Sequence, residues 1–523
     1  MLALGIRYLN GFVAAAEPDS HERPEWPPHP ARVFMALAAA HFETGADPAE
    51  REALEWLERL ESPPRICAGE ASPRALVTHY VPVNDKAGPA KAILQSAPAL
   101  MRDRQERTFA RAWLDDEVIY LSWPDVEAGA AREAVLDALC AKVTRIGHSA
   151  SLVHMWLASP EEIKDPTWVP DAVRAEIQLR VVRPGTLEYL ERCFNRQEVE
   201  QWEYLQVTAG DEADRPAPTR QKKSKKSKKE HPMGPPGRRR PELRIFEGYA
   251  RFCPGTVTEV APGSMFSPHL VVRTLERAEG PYQDLDLLCA PECIRQWRAA
   301  ILAQSDDQPE AVKQMLSAHD REGIPLPGGH LAFVPLAFVG HPYADGHVMG
   351  MGLAFPAELP AEDRRQVLRA IARVDRLALG RLGTWRIGSV NALEPPYNLR
   401  AEVWTAHPKG ATHWSSVTPI ALDRPPREKD RGSQQREMAE MIAEAAVQVG
   451  LPRPREVIVT AVSAHWGVPP APVFPRLQRR DGSQRHHTHA ILGFAERVRG
   501  PILLGAGRYR GYGVCRPLDD EGR

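Results

Sequence analysis

Apolar residues in this chain follow two rhythms, short apolar runs and three-to-four-residue stripes, and their alternation predicts the elements. The run from Leu2 to Leu9 predicts an opening strand. Prolines at 27, 28 and 30 stop it, and Pro30 is placed to begin a helix in which Phe34, Leu37, Ala38 and His41 share a face. Further on, AREAVLDALCAKVTRIGHS sets Val135, Leu139, Val143 and Ile146 on one stripe, stops at Gly147, and gives way to the strand-like SLVHMWL. Strand, helix, strand with short connections predicts an α+β sandwich.

The later part repeats the plan. HLVVRTLE (269–276) reads as a strand and PECIRQWRAAILAQ (291–304) as a helix. HLAFVPLAFVG (330–340) and HVMGMGLAFP (347–356) read as strands. The stretch 359–379 predicts one long helix, with Val367, Ile371, Val374 and Leu377 on its buried face. SQQREMAEMIAEAAVQVG predicts another, ending at Gly450 as a C-cap should. EVIVTAVS, HAILGFAE and PILLG are further strands. Strands flanking a helix pair in βαββαβ order predict tandem ferredoxin-like (RRM-like) units, two or more of them in this half.

Composition divides the chain. Its 523 residues exceed one ordinary core, and 43% hydrophobic with 26% charged residues describes a soluble globular protein. No apolar run reaches the roughly 20 residues that span a bilayer, and MLALGIRYLNGFVAAAEP lacks the basic start of an export signal. Seven scattered cysteines without a CxxC fit reduced thiols, so a cytoplasmic location is expected, with no membrane partner. The net charge of −1 hides an asymmetry: residues 220–240 carry ten Lys/Arg against Glu230 alone. The KKSKKSKK stretch cannot bury itself, so 211–242 is expected to be a disordered basic linker between domains 1–210 and 243–523. A second basic stretch, 476–516, holds nine arginines and no lysine against Asp481 and Glu496. Such patches on an otherwise acidic chain point to a polyanion.

Within that stretch, GAGRYRGYGVC (505–515) sets Gly505, Gly507, Gly511 and Gly513 among Arg508, Tyr509, Arg510 and Tyr512. Glycine admits close approach of a ligand to backbone, arginine forks suit phosphate, and tyrosine faces suit bases. A glycine-punctuated hairpin is the alternative reading of the same residues. RHHTH (485–489) alternates His487 and His489 on one strand face. An H-x-H pair alone is an incomplete metal site, and arginines beside it repel a cation, so Arg485, His487 and His489 are read as facing a polyanion such as RNA or, alternatively, as an accidental polar strand start. No metal and no cofactor is expected. His148 in RIGHS is read as capping a turn, and Trp26 as packing.

Together, EWPPHPARVFMALAAAH (25–41), RIGHSASLV (145–153), HLAFVPLAFVGHPYADGH (330–347), HWSSVTPIALDR (413–424) and GPILLGAGRYRGYGVCRP (500–517) resemble the fused subunit of type I-G (formerly I-U) CRISPR surveillance complexes. That family joins two members of the RAMP superfamily. The resemblance implies that 1–210 binds the 5′ handle of the guide RNA and that 243–523 is a repeat-processing endoribonuclease. The partners it implies are precursor and mature guide RNA, a RAMP-type backbone subunit, a large subunit and target DNA. It also implies that the glycine-rich loop lies against RNA backbone, with Arg508 and Arg510 on phosphates.

Cleavage in this family is metal-independent: the ribose 2′-OH attacks the adjacent phosphate, giving a 2′,3′-cyclic phosphate. The step needs a base, an acid and a cation for the extra phosphate charge. In relatives the catalytic histidine lies near the end of the first helix of the nuclease half, which here points to His319 in SAHD. His330 follows as second choice, Tyr343 as an auxiliary acid–base group, and His341 and His347 frame its turn. Each can equally be a hydrogen-bonded structural residue. A catalytically inactive RNA-binding subunit is the alternative function.

Overall fold

A computed structural model describes residues 1–82, 104–195, 199–201, 241, 243–252, 261–305, 308–319, 322, 329–390, 395–479 and 481–518. The stretch expected to be a basic linker therefore lies outside the described residues, apart from Pro241.

The first unit runs β1 (Leu2–Tyr8), α1 (Pro30–Glu43), α2 (Pro48–Glu58), β2 (Arg65–Cys67), β3 (Val118–Trp123), α3 (Ala130–Lys142) and β4 (Val153–Leu157). Its strands lie in the order β4-β1-β3-β2 with antiparallel pairing, the ferredoxin-like order. Alternation explains the core: Leu2, Leu4, Ile6 and Tyr8 of β1 all face the helices, where Phe34, Leu37, Leu54, Leu136 and Leu139 bury against them. Pro30 stands at the first turn of α1, and the His29 amide beside it donates to the Glu25 carboxylate at 3.2 Å.

Three strands extend this sheet beyond β2. They are β5 (Trp168–Pro170), β6 (Ile177–Arg180) and β7 (Phe246–Arg251), ordered β2-β5-β7-β6, with α4 (Thr186–Phe194) between β6 and β7 in the chain. Strand β7 lies past the boundary expected at 243 but belongs to the first sheet. It inserts between β5 and β6, where Tyr249 is fully buried and its hydroxyl donates to the Pro64 carbonyl at 2.9 Å.

The second unit runs β8 (Val271–Glu279), α5 (Ala290–Ala303), α6 (Glu310–Ser317), β9 (Ala332–Ala337), β10 (Val348–Ala354), α7 (Ala361–Ala372), β11 (Arg376–Ala378) and β12 (Thr384–Ser389). Its order, β9-β10-β8-β12, is again ferredoxin-like, with β11 as an added edge. The long helix expected over 359–379 stops at Ala372. Val374 and Leu377 are buried as their periodicity requires, but Val374 lies in the turn that follows α7 and Leu377 in the extended limb of the β11–β12 hairpin. A short edge strand buries alternate residues as well as a last helical turn would.

The third unit runs β13 (Ala411–Ser416), α8 (Arg431–Gln448), β14 (Glu456–Thr460), β15 (His487–Val498), β16 (Ile502–Leu503) and β17 (Val514–Pro517). Antiparallel pairings place β14-β15-β13-β17 side by side, the same order once more. Here the second helix of the pattern is replaced by β16 and the glycine-rich loop. The fold is thus α+β with tandem ferredoxin-like units ending in that loop.

Glu247, in β7, is 4% exposed and joins the first unit to the second. Its carboxylate takes the guanidinium of Arg183 and, at 2.9 Å each, those of Arg365 and Arg369 on α7. Removing one member of a buried ionic cluster leaves the others uncompensated. Glu247→Ala is expected to destabilise the protein by roughly 3 kcal/mol in urea unfolding, and a change under about 0.5 kcal/mol would show the cluster to be passive.

Candidate functional site

The glycine-rich loop folds over the junction of the second and third units. Gly513 has φ +67°, and a Cβ there would lie 2.0 Å from the Leu504 carbonyl oxygen. Gly511, at φ +78°, rests on α5, where a Cβ would meet Ile294 at 2.3 Å. Gly505 and Gly507 are likewise packed against the Ala421 carbonyl and the Tyr512 side chain. All four glycines are buried and serve the chain's own packing. Tyr512 is buried too, its hydroxyl donating to the Pro475 carbonyl at 2.7 Å.

What this packing presents outward is Arg508, Tyr509 and Arg510. Arg510 is exposed, and Arg508 and Tyr509 are half-buried. Arg508 donates to the Gly505 carbonyl at 3.2 Å and lies over the Tyr509 ring, 4.9 Å from its centre. The Tyr509 ring stacks on the imidazole of His330, centroids 3.6 Å apart and planes 22° from parallel. Phe266 meets the Tyr509 ring edge-on at 5.9 Å. The backbone fixes this register, because the Phe333 amide donates to the Tyr509 carbonyl at 3.4 Å as β9 begins.

The second wall is the end of α6. Arg298 of α5 donates from Nε to the Leu316 carbonyl at 3.1 Å, and from its terminal nitrogen to the Ser317 carbonyl. The same Ser317 oxygen lies 2.7 Å from Nδ1 of His319, so Nδ1 carries the proton and Nε2 is the basic nitrogen. Burial, and then the charge of Arg510, hold Arg298 below the usual arginine range. The loop, His330, Arg298 and His319 therefore form one neighbourhood around the loop tip. Arg298 went unnoticed in the sequence; its only signal is a cation immediately after the buried Trp297.

Other expected residues stand elsewhere. Tyr343 is 85% exposed in the turn between β9 and β10, against His341. His330 precedes the opposite end of β9, whose six residues span roughly 20 Å, so Tyr343 does not join this neighbourhood. His347 bonds Asp345 at 2.6 Å in that same turn. His489 is fully buried: Nε2 donates to the Pro469 carbonyl at 3.1 Å and Nδ1 accepts from Ser416 at 2.9 Å. Burial pushes it down to about 4. His487 is buried opposite Ala421, and burial followed by Arg476 lowers it. Arg485 donates to the Leu422 and Asp423 carbonyls at 3.2 and 2.8 Å. The RHHTH segment is thus a buried strand start with a backbone-binding arginine, not an RNA-facing row. Among the described residues no three His, Cys, Asp or Glu side chains gather as a metal ion would need, and no helix is long and apolar enough to cross a membrane.

The chain matches the family described as CRISPR-associated protein, GSU0054 family, over residues 6–229 and 285–517. It belongs to that CRISPR-associated family. No curated protein matches it in sequence. Among solved structures it is similar to a CRISPR protein from Archaeoglobus fulgidus, at 14% identity over 33% of this chain and 69% of that one, TM-score 0.15. It is also similar to a CRISPR associated protein Cas6, at 8% identity over 48% and 99% of the two chains, TM-score 0.26. A Cas6-related protein from Pyrococcus furiosus is 12% identical over 48% and 98%, TM-score 0.26.

Because His489 is held neutral, the unfolded chain binds more protons than the folded one between about pH 4 and the ordinary histidine range. Stability is therefore expected to fall as pH drops from 7 to 5, with roughly 2 kcal/mol from this group, and His489→Gln should shrink that loss. Urea midpoints at both pH values measure it; an equal loss in the variant would assign the slope to other groups.

Proposed function

We propose that the protein is a CRISPR guide-RNA-processing endoribonuclease that remains bound to its product as a subunit of a type I surveillance complex. The observation that carries this reading is the crowding of Arg508, Arg510, Arg298, His319 and His330 around one loop tip in a CRISPR-associated protein. Arg510 is the exposed cation that an RNA phosphate would meet first. His319, with Nδ1 committed to a carbonyl, offers Nε2 to take the 2′-OH proton. Arg298 and Arg510 supply charge for the phosphate as it gains a bond. His330 supplies the proton to the leaving oxygen, its ring oriented by the stack on Tyr509.

In this reading the first unit holds the 5′ handle, the second and third units cut the repeat, and the chain assembles as a type I-G RAMP subunit with a backbone and a large subunit. The competing reading is an inactive RNA clamp. It is favoured by the bonds that tie Arg298 and His319 to the same carbonyl and by the burial of the loop's glycines.

Purified protein and precursor repeat RNA in EDTA distinguish the two. Cutting to a 2′,3′-cyclic phosphate is expected, with at least a hundredfold loss in both His319→Ala and His330→Ala. Binding without cutting makes the clamp correct, and cutting at full rate in His319→Ala removes that residue from the site. Arg510→Ala is expected to weaken RNA binding and lower its salt slope by about one; an unchanged slope would take Arg510 off the phosphate path.

A further inference from the structure

A second cleft, of about 350 Å³, lies between the added edge of the first sheet and the 395–407 segment that joins the second and third units. Its inner wall carries two imidazoles, His269 and His407, with ring centres 4.9 Å apart at 75°. The Nδ1 atom of His407 is buried and has no hydrogen-bond partner among the described residues. Arg174 and Arg400 line the opening, and the Arg174 side chain is 72% exposed, with its nearest carboxylate, Asp171, 4.0 Å away. From behind, Arg364 of α7 donates to the His269 carbonyl at 2.9 Å, and Arg499 of the third unit acts on His407.

The acidic groups facing the pair are weaker opponents. Glu176 accepts the Arg251 amide at 2.9 Å, and burial raises its pKa. Arg251 is itself held by Glu70 at 2.7 Å over the Trp168 ring. Glu402 is exposed at the rim, and Asp171 faces Arg174. Burial, then His407, Arg364 and Arg174, push His269 down to about 4; burial, then Arg499, lowers His407. Two neutral imidazoles beneath the exposed Arg174 and Arg400 make a wall on which an anion would be stabilised, and an anion there would in turn favour the protonated rings. The cleft volume is at the low end of small-ligand sites and suits one phosphoryl group with part of its nucleoside.

We propose that this cleft is a second phosphate-binding site, in which Arg174 and Arg400, above the His269–His407 pair, hold the phosphoryl oxygens of a nucleotide or an RNA backbone, apart from the glycine-rich loop. An anion in the cleft favours the charged imidazoles, so binding takes up protons and tightens as pH falls from 7.5 to 6. Calorimetry of the full chain tests it with two probes, inorganic phosphate and a four-nucleotide 5′-hydroxyl oligoribonucleotide, whose diesters do not titrate in this range. The oligonucleotide is run also on Arg510→Ala, so that loop binding and cleft binding separate.

In buffers of different ionisation enthalpy, proton uptake is expected with the oligonucleotide. Arg174→Glu should weaken binding at least tenfold, and His407→Gln should weaken it and abolish the uptake, with unchanged thermal melting. Saturation by phosphate alone assigns the site to the free anion, and saturation by the oligonucleotide alone assigns it to RNA. Binding of neither probe, or wild-type binding in both variants, would overturn the proposal. RNA cutting is scored separately, so an inactive nuclease with an intact cleft, or the reverse, is read unambiguously.

Discussion

One carboxylate, that of Glu247, sets the relation between the first two units. It takes three arginines, one from its own unit and two from α7, with the carboxylate itself buried and the guanidinium groups half-buried around it. A lone buried carboxylate would be costly, and three neighbouring arginines without it would repel. Neither unit can therefore leave the other without exposing an unbalanced group. A second clasp lies across the same boundary: Arg23 bonds Glu276 at 2.8 Å, and Asp19 accepts the Ser389 amide at 2.6 Å. The strand that carries Glu247 follows the expected linker in sequence yet sits inside the first sheet. The covalent crossing and the ionic cluster thus coincide.

This rigid join has a consequence for charge. The interface walls are rich in arginine, and where carboxylates match them, as at Glu25 with Arg32 and Arg180, the result is a closed network. Where matching fails, as around His269 and His407, the surface stays electropositive and open. The glycine-rich loop repeats the contrast on the other side of the second unit. Arg516 is buried, donates to the Val339 carbonyl and lies near the Tyr397 and Trp404 rings. Arg510, six residues earlier, remains exposed. Arginines of one basic stretch therefore divide into structural and surface roles according to burial.

The repeating element order was legible because strand and helix periods differ and each unit reuses both. Boundaries were less so, and for identifiable reasons. Val374 is buried in the turn that follows α7 and Leu377 in the edge strand, so burial prolongs the helical stripe past the point where the helix ends. The short strands β5 and β6 carry too few residues to show a period. At the candidate site, the arginines and Tyr509 of the loop were singled out by residue type, whereas His319 and His330 came from the position that the family resemblance implies for a catalytic histidine. The glycines misled in part: close approach to their backbone was correctly implied, but the close neighbour is the chain's own carbonyl or side chain. His489 and Arg485 misled because alternation along a strand places residues on one face without saying whether that face is wet.

The same logic separates the two loop-side histidines by what their partners leave accessible. A carbonyl acceptor on Nδ1 of His319 selects one tautomer and directs the basic nitrogen away from α6. A stacked phenol on His330 covers a ring face and leaves its nitrogens at the edge, so it orients the ring without selecting a tautomer. Arg298 donates to the same Ser317 oxygen and so competes with His319 for it. His319 and Arg298 thus meet at one acceptor at the end of α6. Loop, cation and imidazole are in this sense one coupled device, assembled at the place where the third unit has exchanged a helix for glycine.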